Sequence, residues 1–327
     1  MKCKLLLSVL SSTFLFFTGC NLSDTTGTGV NTPYLYHIGE LNSQGFAYSL
    51  AATDNTVYLA DGLGGLRIID ISSPHFPQEM SYFEDNGTYY DLKFAGGDYI
   101  YVAAGEAGFK IIDVNSPFGP EISGHFSTDD SSFGLDYAGN FVYLADNTGG
   151  IRILDISSHF NIFEVSRIFV GGQNVNNVTL RWPYLYASCR YGFSVIDIEN
   201  SYNPLEISFE DLPNVYDIDV VNHLAYVAFE GGLKIYDISQ PDDPRELSSL
   251  LLPASARAIE VRGEFAYLAL GRSGLSVVRI ANSLQPYEVA YHSPVSAEMS
   301  GILLYGRYIL IANGESGLLI MEFSGSI

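Results

Sequence analysis

One phrase recurs seven times along the chain: a β-rich stretch with Tyr and Ala, a turn, a glycine, an apolar run and then an acid. The copies read YLADGLGGLRIIDI (58–71), YVAAGEAGFKIIDV (101–114), YLADNTGGIRILDI (143–156), YASCRYGFSVIDI (186–198), YVAFEGGLKIYDI (226–238), YLALGRSGLSVVRI (267–280) and LIANGESGLLIMEF (310–323). The residue near the end of each apolar run is Asp70, Asp113, Asp155, Asp197, Asp237, Arg279 and Glu322, at steps of 43, 42, 42, 40, 42 and 43. A period this regular means that one supersecondary unit is repeated. A unit of that size cannot bury both of its faces without neighbours.

Each repeat parses into four short strands. In the second, residues 90–95, 99–104, 109–114 and 121–126 are apolar or aromatic runs bounded by Gly, Asn, Asp and Pro, which is the strand signature. No segment sustains a 3.6-residue apolar period. A glycine precedes the third strand in every copy (Gly65, Gly108, Gly150, Gly192, Gly232, Gly274, Gly317), where a tight hairpin needs a residue that tolerates positive φ. The acid at the end of that strand is expected to accept backbone N–H bonds and fix the exit turn. The third strand does not alternate with polar residues (Leu66, Ile68, Ile69, Ile71), so both faces of each sheet must be covered. Four-stranded sheets stacked around an axis satisfy this. The expected fold is all-β: a seven-bladed β-propeller of four-stranded antiparallel blades over 33–327. The last repeat lacks its fourth strand, and residues 33–40 resemble one. The N-terminal strand is therefore expected to close the last blade and remove the open edges.

The phrases GGLRIIDIS, GFKIIDVNSP and GGLKIYDISQP resemble the LVIVD repeat, a propeller repeat of bacterial and archaeal envelope proteins. The resemblance covers residues 33–323. It implies a propeller in the cell envelope and supplies no catalytic residues.

Residues 1–20, MKCKLLLSVLSSTFLFFTGC, carry two lysines, an apolar run and then Thr-Gly-Cys. The run is shorter than the ~20 residues of a spanning helix and reads as a secretory signal. Its end resembles the lipobox of bacterial lipoproteins, with Phe17 where Leu is usual. The resemblance implies a signal peptide over 1–19, acylation of Cys20 and a firm membrane anchor. Asn21, in place of Asp, favours the outer membrane. Residues 20–32, the lipidated Cys and a polar Gly/Thr-rich stretch, are expected to form a flexible tether.

Formal charge is −21, so no cationic surplus exists for a nucleic-acid partner. Two lysines and no acid leave with the signal, taking the charge to −23. Anionic headgroups would repel such a domain, so membrane contact is expected through the anchor. A hydrophobic share of 47% with 16% charged residues excludes a disordered chain. Once Cys3 leaves and Cys20 is acylated, Cys189 stands alone and reads as a small buried hydrophobe.

No nucleophile elbow, H-E-x-x-H, C-x-x-C, P-loop, G-x-G-x-x-G or EF-hand loop occurs. Candidate ligand-face residues lie in the loops between second and third strands: Asp61, Glu106, Asp146, Arg190, Glu230, Arg272 and Glu315. Glu84, Asp85, Asp129, Asp130, Glu210, Asp211 and Glu298 lie in the loops between blades. Such a ring suits a cation or a polar ligand such as a sugar, peptide or protein. Ca²⁺ would require six to eight converging oxygens, and no other metal or cofactor is expected. Trp182 sits in a turn on the opposite face and is expected to be buried. The reading is a monomeric, envelope-anchored, non-catalytic binding module for a protein or glycan. A propeller hydrolase or lyase using loop acids, and a purely structural scaffold, are the alternatives.

Overall fold

The computed structural model describes residues 33–293 and 297–325. The signal peptide, Cys20 and the tether lie outside the described residues.

Seven four-stranded antiparallel sheets follow one another along the described chain. Strands are lettered A to D outward from the axis. Blade 2 shows the pattern: A is Asp91–Phe94, B is Tyr99–Ala103, C is Phe109–Asp113 and D is Glu121–Phe126. The ring closes as expected. Strand Leu35–Leu41 serves as strand D of blade 7 and pairs with Leu318–Phe323 in the register Leu35↔Phe323 to Leu41↔Leu318. Tyr34 N donates to Ser324 Oγ at 2.7 Å, and Ser324 N donates back to the Tyr34 carbonyl at 2.9 Å.

The core is divided among the seven junctions between blades. Tyr58 and Ile68 of blade 1 pack with Leu92, Ile100 and Val102 of blade 2. Leu310 and Ile320 of blade 7 pack with Leu50, Val57 and Ile69 of blade 1. Each sheet is thus covered on both faces by its neighbours, which is why strands B and C are buried along their length rather than on alternate residues.

The exit acids act as expected. Asp70, Asp113, Asp155, Asp197 and Asp237 each accept the backbone N–H two residues on, at 2.7–2.9 Å. The glycine before strand C has a second cause beyond the one expected. Gly65, Gly108, Gly150, Gly232, Gly274 and Gly317 have positive φ, but Gly192 does not. At Gly192 a Cβ would lie 2.0 Å from the Glu210 carbonyl oxygen of strand D. Close approach of two backbones, and not φ alone, excludes a side chain there.

Candidate ligand-binding site at the propeller axis

Strand A of every blade lines the axis, and its residues were not among the sequence candidates. A cavity of about 410 Å³ opens there, lined by Tyr48, Tyr90, Phe133, Tyr216 and Arg257 with more polar residues among and below them. Tyr48, Tyr90, Phe133, Asn176, Tyr216, Arg257 and Ser300 hold one repeat position, just before or at the start of strand A. Their rings touch in series: Phe46 to Tyr48 at 4.7 Å between centroids, Tyr48 to Tyr90 at 4.8 Å and Tyr90 to Phe133 at 4.9 Å. The Arg257 guanidinium sits 4.2 Å above the Tyr216 ring. Offset and edge contacts of this kind fix ring orientation.

Beneath the rings the channel carries carboxylates, each of which is committed. Strand A is the inner edge of its sheet and leaves N–H groups facing the axis. The preceding blade supplies the acceptor. Asp91 accepts from Leu135 N at 3.1 Å, Asp136 from Leu180 N at 2.8 Å, and Asp217 from Ile259 N at 2.9 Å. Asp219 accepts from Val261 N at 2.8 Å and Glu260 from Leu304 N at 2.6 Å. Ser49 Oγ and Asn177 Nδ2 donate to Asp91 and Asp217 at 2.6 and 3.0 Å. These bonds join successive blades across six of the seven junctions, beside the isolated backbone bridges such as Gly62 to Tyr89 and Ala47 to Gly314.

Burial pushes the Asp217 carboxyl up to about 6 and the Glu260 carboxyl up to about 7, against the hydrogen bonds that favour their charged forms. Lys93, whose ammonium lies 3.8 Å from Asp91, is held above the usual lysine range by that carboxylate. The axis therefore offers aromatic faces at its mouth, fixed acceptors inside and one ammonium among them.

The sequence candidates are distributed differently. Asp61 and Asp146 are fully buried. Asp61 pairs with Arg67 at 3.2 Å, and Asp146 with Arg152 at 2.5 Å. Loop acids complete the same cages: Glu84 lies 2.7 Å from Arg67 and Asp129 3.1 Å from Arg152, while Asp85 meets Lys110. Glu106, Arg190, Glu230, Arg272 and Glu315 are exposed. Glu230 accepts from Asn214 Nδ2 at 2.8 Å, Arg272 pairs with Glu298 at 3.1 Å, and Arg190 lies over the Tyr191 ring. Arg272, Glu298 and Glu315 border a second cavity with Phe46. Among the described residues no group of three or more His, Cys, Asp or Glu side chains is placed to hold a metal ion. Cys189 is buried, and burial pushes its thiol up to about 12. Trp182, expected in the core, is 59% exposed, because the turn that carries it leaves the sheet on the opposite face.

A family model described as the LVIVD repeat matches residues 44–85, 94–128, 135–168, 214–251 and 253–291, more than half of the chain. Among solved structures, the crystal structure of the computationally designed Ika8 protein is similar in fold. Its TM-score is 0.65 at 12% identity, over 88% of this chain and 99% of that one. No curated protein matches the chain.

Proposed function

This chain belongs to the LVIVD-repeat family, and from that premise we propose a lipid-anchored envelope binding module that takes its ligand at the aromatic mouth of the axis and releases it unchanged. Cys20 holds the module to the membrane, the outer one where the cell has two. The ligand is a glycan or a protein segment with a flat apolar face.

One observation carries this reading: tyrosine and phenylalanine stand at the same repeat position in four blades and converge on one opening. Ring faces gathered at a concave opening, with a few fixed polar groups below, are what stacking and orientation of a ligand require. The channel acids support binding over turnover. A general acid or base must reach a substrate proton, whereas each of these holds a neighbouring blade's backbone. Glu260, raised to about 7, is the observation that favours the hydrolase or lyase alternative.

The test compares wild type with Tyr90→Ser/Phe133→Ser on an immobilised column loaded with envelope glycans and proteins. Retention by the wild type and its loss in the variant, with both melts alike, supports the reading. Equal retention removes the mouth as the contact surface. Chemical conversion of the retained material moves the assignment to the enzyme, and retention by neither protein moves it to the scaffold.

A further inference from the structure

The opposite face carries a feature that ligand capture leaves unused. The turns between strands C and D share one geometry, closed by a backbone bond three residues long: Gly119 N to the Ser116 carbonyl, Asn161 N to Ser158, Asn203 N to Asn200 and Gln285 N to Asn282, at 2.9–3.0 Å. The residue just before each donor is Phe118, Phe160, Tyr202 and Leu284. Blade 1 carries Phe76 one place further on. All five are more than 60% exposed. Trp182, in the A–B turn of blade 4 on the same face, shares a groove with Tyr202.

Two observations say what meets this crown. First, the chain reaches the propeller on this side. Leu35 pairs with Phe323, the end of strand C in blade 7, so Tyr34 and Pro33 stand at the C–D end of that blade. His75, beside Phe76, contacts the Ile38 carbonyl at 2.9 Å. Twelve residues separate Cys20 from Pro33, a reach of about 45 Å at full extension. Second, the turns are almost without charge in a chain of −21: SSPHFP (72–77), NSPFGP (115–120), SSHFN (157–161), NSYNP (200–204) and NSLQP (282–286) contain no acid, Lys or Arg. Blade 5, with Asp242 and Asp243, is one exception, and Glu199 opens the blade 4 turn; the A–B turns on this face add Asp54, Asp98, Glu264 and Arg307, so it is the tips of the C–D turns that are free of charge. Apart from Trp182 and Tyr202, which adjoin in one groove, the crown residues stand singly on separate blades. A protein partner selects a contiguous apolar patch, whereas a bilayer interface accepts isolated aromatic and leucine side chains set among uncharged polar groups.

We propose that the C–D face docks on the interface of a zwitterionic bilayer, with Phe118, Phe160, Tyr202, Leu284 and Trp182 seated among the headgroups. This rests on acylation of Cys20, which brings the face to the membrane. The aromatic mouth of the axis then points away from the lipid.

Trp182 is the sole tryptophan of the chain and reports directly. Acylated full-length protein is bound to phosphatidylcholine vesicles carrying lipids brominated near the headgroup end of the acyl chains. The expected result is a blue-shifted Trp182 emission, quenched at least twofold relative to Cys20→Ala protein in solution. Phe118→Ser/Phe160→Ser should still float with the vesicles and melt unchanged, yet lose most of that quenching. Wild-type protein that floats with Trp182 unquenched overturns the docking and leaves the anchor standing, and self-association through the crown would then assign it to a second copy. Quenching unaltered by the double variant overturns the role of the crown. Failure to float at all overturns the anchor and the docking together.

Discussion

Asp61 Oδ2 lies 3.2 Å from Arg67 Nε, with neither side chain more than 1% exposed. The carboxylate also accepts from Gly45 N at 2.8 Å and Ser43 Oγ at 2.5 Å. One acid thereby ties the B–C loop, strand C and the chain leading into blade 1. Blade 3 repeats the arrangement with Asp146 and Arg152. The consequence is that two acids of the B–C loops hold the blade together.

Removing the buried acid leaves Arg67 with the part-exposed Glu84, and Arg152 with Glu164 and the exposed Asp129, a loss of up to about 3–5 kcal/mol. Asp61→Ala and Asp146→Ala should each lower the denaturant midpoint substantially. Glu106→Ala, at the exposed place in the same loop of blade 2, should leave it unchanged. Chemical denaturation of the three variants checks this, and a stable Asp61→Ala protein would contradict it.

The axial carboxyls set a pH dependence. In the folded state Asp217 titrates at about 6 against its ordinary 3.8, and Glu260 at about 7 against 4.5. Between those values the folded state holds more protons than the unfolded one, so their contribution to stability falls as pH rises from about 4 to about 7. Asp217→Asn and Glu260→Gln cannot ionise and should lose this fall. Melting temperatures from pH 4.5 to 8 are expected to rise for the variants relative to wild type as pH increases; parallel curves would refute the assignment.

Ring closure depends on strand Leu35–Leu41. Deleting residues 33–41 exposes the edge of Leu318–Phe323 and uncovers the blade 7 face of the junction with blade 1. Calorimetry should show a broadened transition at lower temperature, with aggregation on heating. A sharp transition at the wild-type temperature would mean that the ring does not need its latch.

Cys20→Ala should move the protein from the membrane to the soluble fraction, since one face of isolated aromatic residues does not replace acyl chains. Continued membrane fractionation of this variant would remove the lipobox reading.

The fold was legible because its determinants are local and repeated. The Gly before strand C and the apolar run after it are written seven times, the Asp that caps the exit five times, within a dozen residues each, and the unfinished last repeat announced that residues 33–40 must complete it. The paired acids were partly legible: Asp61 and Asp146 each stand six residues before an arginine in an otherwise apolar strand, and a buried guanidinium needs a carboxylate. Nothing local marked Tyr48, Tyr90, Phe133 and Tyr216 as neighbours, or Asp217 as the acceptor for Ile259 N. Those residues are 40 or more positions apart and resemble ordinary strand ends. Hydrophobic period and turn chemistry act over a few residues, so the sequence by itself determined strands, blades and their number. Which side chains meet at the axis, and which acids are buried there with their proton affinity raised, follows only from closing the ring. That closure brings distant copies of one position together and removes water from between them.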